Sequence, residues 1–421
     1  MLVKAAPASH GVEQFKSVQR RTLAVLSLSQ IIGGLGVAVG LAFSSLIVED
    51  LSGSVTISGF AGTAMVLGSA LFALPIAKVA TISGRRASLA LGYASAAVGG
   101  AVATLAIGLG SWPLVLVGFL LIGAGSTTNL AARYSATDLS PKGTTARHLS
   151  LVVWATTIGS VAGPNLAQPA DAIGKNLGLA EYAGPFAFAT FAFLVALLFL
   201  FFFLRPDPLK LARTVSTGGG EVPKRVMRAG WDAIRSSAGA RAAVLAIAIS
   251  HTAMVSIMSM TPVHLKHGGA TTGIIGLALS LHIAGMYVFS PLVGWLADKA
   301  GKIPVLVLGM AILLGSAVLA MTAGEHSVGQ ITASLILLGL GWSCGLVAGS
   351  ALLTESTPIG QRASVQGLSD LLVSVCGATG TVVAGLIVGG LSYSALGIAV
   401  GIVVTATGVW LAARRRALTA P

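Results

Sequence analysis

Methionine and histidine side chains recur at helical spacing in one part of the sequence. Spacings of three and four residues place His251, Met254 and Met258 on one face of a predicted helix. His282 and Met286 are also four residues apart and share a face of the next predicted helix. Thioether sulfur and imidazole nitrogen suit Cu(I) better than they suit zinc, calcium or magnesium. The spacing therefore indicates a site for a soft metal ion, formed by Met254, Met258, His282 and Met286.

Further Met and His residues surround these candidate ligands. Four of the nine Met and four of the seven His in the chain fall within 251–286. We interpret His251 and Met260 as auxiliary ligands. His264 and His267, in the predicted loop between the two helices, are interpreted as an outer collection site. The alternative is purely structural, because methionines at helical spacing also pack cores and a membrane histidine often hydrogen-bonds a neighbouring helix.

The composition places these residues in a membrane. Of 421 residues, 55% are hydrophobic and only 9% are charged, whereas an average soluble domain carries about 25% charged residues. So few charges cannot cover the surface of a water-soluble fold of this length, which excludes a soluble enzyme and a disordered chain. The 54 glycines lack a three-residue period and suit close packing of apolar helices in lipid. We therefore predict an integral membrane protein whose first partner is the lipid bilayer.

Apolar runs long enough to cross a bilayer, which requires about 20 residues per helix, occur twelve times in the sequence. The predicted spans are 22–47, 56–80, 87–109, 113–137, 147–169, 183–204, 241–262, 271–294, 303–323, 328–354, 364–390 and 392–412. We therefore predict an all-α membrane protein with 12 transmembrane helices arranged as two six-helix bundles.

The basic residues orient these spans. Of the 26 Lys and Arg, all except Lys175, Lys266 and Arg133 fall on the side of the N-terminus or in adjoining helix ends. Basic residues resist translocation, so this bias predicts a multi-pass protein of a bacterial-type cytoplasmic (inner) membrane with both termini cytoplasmic. The net charge of +13 then reflects topology and gives no evidence for binding to nucleic acid.

The chain divides into two related halves. Gly84-Arg85-Arg86 follows the second span, and Gly301-Lys302 follows the eighth span 217 residues later. At the same offset, the segment 137–143 matches the segment 354–360. The predicted domains are an N-terminal bundle at 1–204, a basic cytoplasmic linker at 205–240 and a C-terminal bundle at 241–421. The linker is either simply solvated or contains a helix that lies on the inner membrane surface. The second interpretation is suggested by apolar residues that fall roughly along one face of a predicted helix: Val226, Met227, Trp231 and Ile234.

The loop after the eighth span carries a motif that reads Gly-Trp-Leu-Ala-Asp-Lys-Ala-Gly-Lys over 294–302. With the repeated halves, it resembles the signature of the major facilitator superfamily over essentially the whole chain. The resemblance implies two bundles related by a pseudo-two-fold axis along the membrane normal, with a conformational latch here. The alternative is a simple positive-inside anchor. In the first copy of the motif, Thr81 occupies the position that corresponds to Asp298. The latch residues are Gly294, Asp298, Lys299, Gly301 and Lys302, with Gly84, Arg85 and Arg86 in the first copy.

The candidate metal ligands point to one particular family within this superfamily. Met254-x-x-x-Met258 and His282-x-x-x-Met286 resemble the paired motifs of the CcoA-like transporters, copper importers within the superfamily. This resemblance implies a secondary active transporter that works by alternating access and imports Cu(I) or a small copper complex, with copper as the transported ion and no cofactor. Relatives of similar sequence carry riboflavin, so uptake of an organic nutrient is the first alternative.

Ionisable residues within the spans are scarce. We expect no Asp or Glu deep in any span, with Asp138, Asp298 and Asp370 near the cytoplasmic ends. Export of drug-like molecules, which the partial fifth-helix motif at 159–164 favours, is a second alternative. The missing deep carboxylate opposes it, because proton-driven exporters of cationic drugs commonly alternate a buried carboxylate between proton and substrate.

Asn129 and Arg133 are the remaining auxiliary candidates in the fourth span. Arg133 either binds an anionic group together with Asn129 or pairs with a nearby carboxylate as a structural residue. A non-transporting receptor would need a soluble module that the short predicted termini do not supply. Enzymatic activity is not expected, because no nucleophile–base pair or phosphate loop is present. The expected partner is a small-molecule or metal-ion substrate, and the expected state is a monomer.

Overall fold

The computed structural model describes residues 8–58, 60–215, 226–324 and 326–415. Within these ranges the regular secondary structure is entirely helical, and twelve helices are long and apolar enough to cross a membrane. The predicted fold class is therefore confirmed. Residues 216–225 of the predicted linker lie outside the described ranges, and the domain boundaries at 204 and 240 stay predictions.

The helices follow one another in two sets of six spans. The first set contains α1 (Ala8–Ser52), the short α2 (Val55–Ser58), α3 (Phe60–Ser83), α4 (Arg85–Gly108), α5 (Trp112–Ser135), α6 (Thr145–Asn176) and α7 (Ala183–Phe203). The connection contains α8 (Pro208–Val215) and α9 (Val226–Ser236). The second set contains α10 (Ala238–His267), α11 (Thr272–Tyr287), α12 (Ser290–Ala300), α13 (Lys302–Thr322), α14 (Val328–Glu355), α15 (Arg362–Gly390) and α16 (Tyr393–Ala413).

Each bundle packs around its own apolar core. Phe119 and Phe186 are fully buried in the N-terminal bundle, with ring centroids 5.3 Å apart. Leu313 and Leu335 are fully buried in the C-terminal bundle. The C-terminal core also includes Leu149 of α6, so the two bundles share buried apolar surface where α6 meets α12.

The eighth span is broken into α11 and α12 at Val288 and Phe289. Pro291 lacks the N–H that would bond to the Tyr287 carbonyl one turn earlier, and a proline inside a helix therefore interrupts it. The Ser290 hydroxyl donates to that carbonyl instead, at 2.7 Å. The break separates the segment that carries His282 and Met286 from the segment that carries the predicted latch.

Helix α9 packs against α15. Val226 and Ile234 are buried, whereas Met227 and Trp231 are exposed. At 100° per residue all four lie within about 140° of the helix circumference, so the predicted apolar face contacts the bundle along one side and is exposed along the other. We call the end of the bundles that carries α8, α9 and Lys302 the basic end.

Helices α11 and α14 approach closely at Gly339. A Cβ at this position would collide with the His282 carbonyl and lie 2.8 Å from the Met286 amide nitrogen. Glycine therefore lets the backbone that carries His282 and Met286 rest directly on α14, as small residues do at helix contacts in membranes.

Replacing Gly339 with valine is expected to displace α11 and to lower stability by about 1–3 kcal/mol, the usual cost of overpacking. The measurement is the melting temperature of the detergent-purified protein. The matched control is Gly329→Val in the same helix, where an added Cβ meets no atom within 4 Å. Equal melting temperatures for the two variants would contradict this account of the contact.

Candidate functional site

A cavity of about 490 Å³ lies between the two bundles. Its N-terminal wall consists of Gln30, Gly34, Val37, Ala38, Ser126, Asn129, Leu130, Arg133, Val153, Thr156, Ser160 and Pro164. Its C-terminal wall consists of His251, Met254, Val255, Met258, Leu279, His282, Ile283, Met286, Tyr287, Trp342 and Leu346. The lining is mostly apolar with a few polar groups, which is the usual character of a small-molecule site.

The four candidate ligands all line this cavity. Met254 and Met258 reach it from α10, and His282 and Met286 reach it from α11. Met260 instead packs against the core of the C-terminal bundle and is not part of the wall that the described residues form.

His282 is held in one defined tautomer. Its Nδ1 lies 2.7 Å from the Leu335 carbonyl oxygen of α14, and because a carbonyl only accepts, Nδ1 must carry the proton. Nε2 therefore has a free lone pair, and it is buried without a hydrogen-bond partner among the described residues. A histidine whose second nitrogen is anchored by a backbone carbonyl is the usual arrangement of a metal-ligating imidazole.

His251 is arranged in the opposite way. The Trp342 indole N–H donates to His251 Nδ1 at 3.3 Å, so the lone pair of Nδ1 is already used. The Trp342 ring also packs edge-on against Tyr287, with centroids 5.6 Å apart and an interplanar angle of 85°. His251 thus contributes to an aromatic part of the wall, and it would have to give up the Trp342 bond to bind metal through Nδ1.

His264 and His267 lie in the last turn of α10, so their predicted place in a loop is wrong. The helix continues through Pro262 and ends at the following glycines, where Gly269 has a φ of +75°. The His264 ring stacks on Tyr393 of α16, with centroids 4.2 Å apart. Both histidines are therefore separate from the cavity wall.

Metal binding in the cavity would depend on thioether sulfur. Among the described residues, no group of three or more His, Cys, Asp or Glu side chains is placed to hold a metal ion. Three methionines and the Nε2 of His282 form a donor set that suits Cu(I) and does not suit hard divalent ions. Asn129 shares the opposite wall, where its side-chain oxygen accepts from the Tyr93 hydroxyl at 2.9 Å.

Arg133 joins the two bundles next to the cavity. Its guanidinium donates to Asp370 of α15 at 2.7 Å and to Ser350 of α14 at 3.2 Å. It also donates to the Leu130 carbonyl at 2.9 Å and to the Tyr134 hydroxyl at 3.2 Å. Both members of the ion pair are almost fully buried. Arg133 thus pairs with a carboxylate, one of its two predicted roles.

Asp370, predicted near the cytoplasmic end of its span, is buried between the helices. It is eight residues from the start of α15 at Arg362, which is about 12 Å along a helix. The side chain is 5% exposed. The apolar run begins at 364, so Asp370 was placed near the helix end, but the helix and its packing continue around it.

The basic end repeats one ion pair in both bundles. Arg85 bonds to Asp138 at 2.7 Å, and Lys302 bonds to Glu355 at 2.8 Å. The partners are related by the offset of 217 residues that also relates Arg133 and Ser350. Arg85 additionally donates to Gln366 of the other bundle at 2.7 Å.

Asp298 closes the basic end on one side. Its two carboxylate oxygens accept from the first-turn amides of Ala146 at 3.1 Å and Arg147 at 2.8 Å. An acid at a helix N-terminus satisfies unpaired amides and interacts favourably with the helix dipole. Lys302 lies 3.4 Å from the same carboxylate. Gly294 lets α12 lie against the α6 backbone, since a Cβ there would collide with Ser150.

The sequence matches the family description "Major Facilitator Superfamily" over residues 26–271 and 243–421. The chain belongs to the major facilitator superfamily. It is 36% identical over 391 residues to YdeG of Bacillus subtilis (strain 168), an uncharacterised MFS-type transporter, covering 93% of this chain and 91% of the relative. It is 25% identical over 355 residues to the riboflavin transporter RfnT of Brucella anthropi, covering 84% and 85%.

Solved transporters of the superfamily share the fold. The human organic anion transporter MFSD10 superposes with a TM-score of 0.75 at 16% identity, covering 93% of this chain and 99% of that structure. A bacterial homologue of the iron transporter ferroportin in an outward-facing state superposes with a TM-score of 0.73 at 15% identity, covering 93% and 100%. At these identities the likeness concerns the fold alone.

The first copy of the loop motif has no acid at the position that corresponds to Asp298. The Thr81 hydroxyl donates to the Ala77 carbonyl of its own helix at 2.8 Å, so it does not cap α15. Leu209 of α8 packs there instead, against Ala80 and Ala363. Gly84, with a φ of +91°, is the equivalent of Gly301 at +96°.

Arg86 and Lys299, two further residues of the predicted latch, make contacts within their own bundle or with the connection. The Arg86 amide donates to Asp207 at 2.8 Å, which ties the start of α4 to the connection. The Lys299 ammonium lies 4.8 Å from the centre of the exposed Trp295 ring. Neither residue touches the opposite bundle through these contacts, so they support the position of the loops.

Several residues of the site were not predicted from the sequence. Trp342 and Tyr287 line the cavity, and Gln366 and Asp370 hold the bundles together. The spacing Gln366-x-x-x-Asp370 within an apolar run was an available signal, because it puts two polar side chains on one helical face. No pattern in the sequence marks the two aromatic residues as cavity-lining.

Replacing Asp298 with alanine is expected to weaken closure of the basic end by about 1 kcal/mol, the usual cost of losing a helix cap. The measurement is the alkylation rate of a cysteine introduced at Ser364, which is fully buried, after replacement of Cys344 and Cys376 by alanine. A rate increase of about fivefold is expected. Asp232→Ala on the exposed side of α9 is the control, and equal rates in both variants would contradict the capping role.

Proposed function

We propose that this superfamily member is a CcoA-like secondary transporter that imports Cu(I), as the ion or a small complex, by alternating access. Cargo binds in the cavity between the bundles and contacts Met254, Met258, His282 and Met286. The basic end faces the cytoplasm, because basic residues resist translocation. Both termini are then cytoplasmic, and the structure corresponds to a state that is closed towards the cytoplasm.

One observation carries the copper proposal. All four motif residues line a single cavity, and the only imidazole among them has a buried Nε2 lone pair without a partner in the described part of the chain. Leaving such a group unpaired in an apolar site is unfavourable. Binding a soft cation would satisfy it through a neutral donor.

The cavity volume favours a small complex over the bare ion. A cavity of about 490 Å³ is within the range of pockets that hold small organic ligands, whereas a Cu(I) ion needs only a few donor atoms. Asn129 and Gln30 on the opposite wall supply hydrogen-bonding groups for the organic part of such a complex.

A second candidate is an aromatic organic nutrient such as riboflavin. The riboflavin transporter RfnT is a relative at 25% identity, and Trp342 and Tyr287 line the cavity beside polar groups. The free Nε2 of His282 would then accept a hydrogen bond from the ligand. This candidate uses the same cavity but does not require thioether sulfur.

Alternating access requires the contacts at the basic end to break. Separating the bundles there would release Arg133 from Asp370 and Ser350, and Arg85 from Gln366. The Arg85–Asp138 pair lies within one bundle and would stay intact during rigid-body movement. The cavity would then open towards the cytoplasm and close on the opposite side.

The double variant Met254→Ala/His282→Ala is expected to reduce copper accumulation to the level of cells without the transporter. Both a thioether and the free imidazole nitrogen are lost, so only Met258 and Met286 of the four proposed donors remain. The measurement is cellular copper by mass spectrometry at equal membrane levels of protein. The control is Met310→Ala/His326→Ala, since Met310 packs in the core and His326 is exposed, away from the cavity wall.

Copper accumulation that is normal in the Met254→Ala/His282→Ala variant would refute the copper proposal. Growth rescue of a riboflavin auxotroph by both this variant and the unmodified protein would instead favour the organic nutrient. Resistance to drug-like compounds on overexpression, without uptake of either probe, would favour export.

A further inference from the structure

Two arginines converge on one aromatic ring at the basic end. The guanidinium carbon of Arg86, at the start of α4, lies 5.1 Å from the centre of the Phe201 ring in the last turn of α7. The guanidinium carbon of Arg205, four residues after Phe201, lies 5.9 Å from the same ring centre. A guanidinium at such a distance is attracted to the face of the ring. Phe201 therefore brings two positive charges to one place.

Three tryptophans at the basic end carry one cation each. In each case the cation follows its ring by four residues, the spacing at which side chains of one helix meet. These pairs are Trp231–Arg235, Trp295–Lys299 and Trp410–Arg414. Arg86 differs from these cations because it comes from another helix than its ring. The arrangement of two cations at Phe201 therefore depends on the tertiary fold and not on local spacing alone.

Neither guanidinium at Phe201 pairs with a carboxylate in the part of the chain that the structure describes. Asp207 is used by the backbone instead, since its oxygens accept from the amides of Arg86 at 2.8 Å and Leu209 at 3.1 Å. The side chain of Arg205 is exposed. The two positive charges are thus available to an anion that the protein does not itself supply.

An exposed apolar stripe leads along α7 to these arginines. Spacings of three and four residues place its members on one face of this membrane-spanning helix. They are Phe191, Leu194, Leu198 and Phe202. Apolar side chains exposed on such a helix contact the acyl chains of the bilayer. The stripe therefore provides a path for acyl chains whose headgroup lies at Arg86 and Arg205.

We propose that Arg86, Arg205 and Phe201 form a binding site for the headgroup of one anionic phospholipid in the leaflet at the basic end. The two guanidiniums donate to the phosphate oxygens, for which their planar N–H groups are well matched. The acyl chains lie along the stripe on α7. A lipid with a net negative charge is preferred over a zwitterionic lipid, because it neutralises two charges that have no carboxylate partner.

A lipid bound here also stabilises the connection between the bundles. The Arg86 amide bonds to Asp207, and Asp207 caps the start of α8 through the Leu209 amide. The Leu209 side chain packs at the interface between α3 and α15, which belong to opposite bundles. A phosphate that joins Arg86 to Arg205 therefore holds in place the segment that covers this interface.

The test counts the lipids bound to the intact protein by native mass spectrometry. Protein purified free of lipid in detergent is titrated with phosphatidylglycerol, or with phosphatidylcholine that has the same acyl chains. For the unmodified protein we expect the first phosphatidylglycerol to bind more tightly than the first phosphatidylcholine. Equal affinities for these two lipids would overturn the proposal.

Two sets of variants make the test specific to the site. Arg86→Gln/Arg205→Gln is expected to weaken binding of the first phosphatidylglycerol about 25-fold, because each basic residue near an anionic lipid contributes about fivefold. The control is Arg235→Gln/Arg414→Gln, which removes the same number of charges from rings that carry one cation each. Arg205→Gln alone should weaken binding about fivefold, and it provides the test if the double variant does not fold.

Unchanged phosphatidylglycerol affinity in Arg86→Gln/Arg205→Gln or in Arg205→Gln would overturn the proposal. An equal loss in the control variant would also overturn it, because the total surface charge would then explain binding. Inorganic phosphate at the concentration of the lipid should not displace the bound phosphatidylglycerol. Complete displacement would show a site for a free anion and would contradict the assignment to a lipid.

The lipid site is independent of the cargo. A protein that fails to accumulate copper can still bind phosphatidylglycerol at Arg86 and Arg205, in which case only the copper proposal fails. Normal copper uptake without selective binding of phosphatidylglycerol would remove the lipid site and leave the copper proposal intact.

Discussion

A charge buried in a membrane protein must keep its partner, and at Arg133 that partner is supplied by the other bundle. The guanidinium bonds to Asp370 and Ser350 across the interface, because separation in an apolar medium would leave two unpaired polar groups. The rest of the arrangement follows from this pair. It helps to close the basic end and leaves the central cavity above it.

Each bundle contains an equivalent ion pair, but different interactions close the two interfaces at the basic end. Arg85–Asp138 and Lys302–Glu355 occupy equivalent positions and hold equivalent loops in the two bundles. Asp298 caps α6 across the interface, whereas its counterpart Thr81 bonds within its own helix. On the side of Thr81, Leu209 of α8 packs against Ala80 and Ala363 in place of a polar cap. The closed state therefore depends on polar capping at one interface and on apolar packing at the other.

Periodicity and composition were sufficient to predict the spans, the repeated halves and the cavity-lining Met and His residues, because these depend on local helical geometry. Three features depend on tertiary contacts and could not be predicted in this way. Asp370 is buried because neighbouring helices cover it, α10 continues to His267 through Pro262, and α9 exposes Met227 while it buries Val226. The break in the eighth span could be predicted only in part. Pro291 is apparent in the sequence, but the hydrogen bond of Ser290 is known only from the folded structure.

The proposed transport of copper requires that thioether sulfur and one anchored imidazole bind the cargo in a cavity between the bundles. Equilibrium binding of Cu(I) to the purified full-length protein, measured anaerobically against a chromophoric Cu(I) competitor, tests this most directly. We expect saturable binding of one copper per chain, lost when Met254, Met258, His282 and Met286 are all replaced by alanine. Equal copper binding by the unmodified and the substituted protein, or no binding by either, would contradict it.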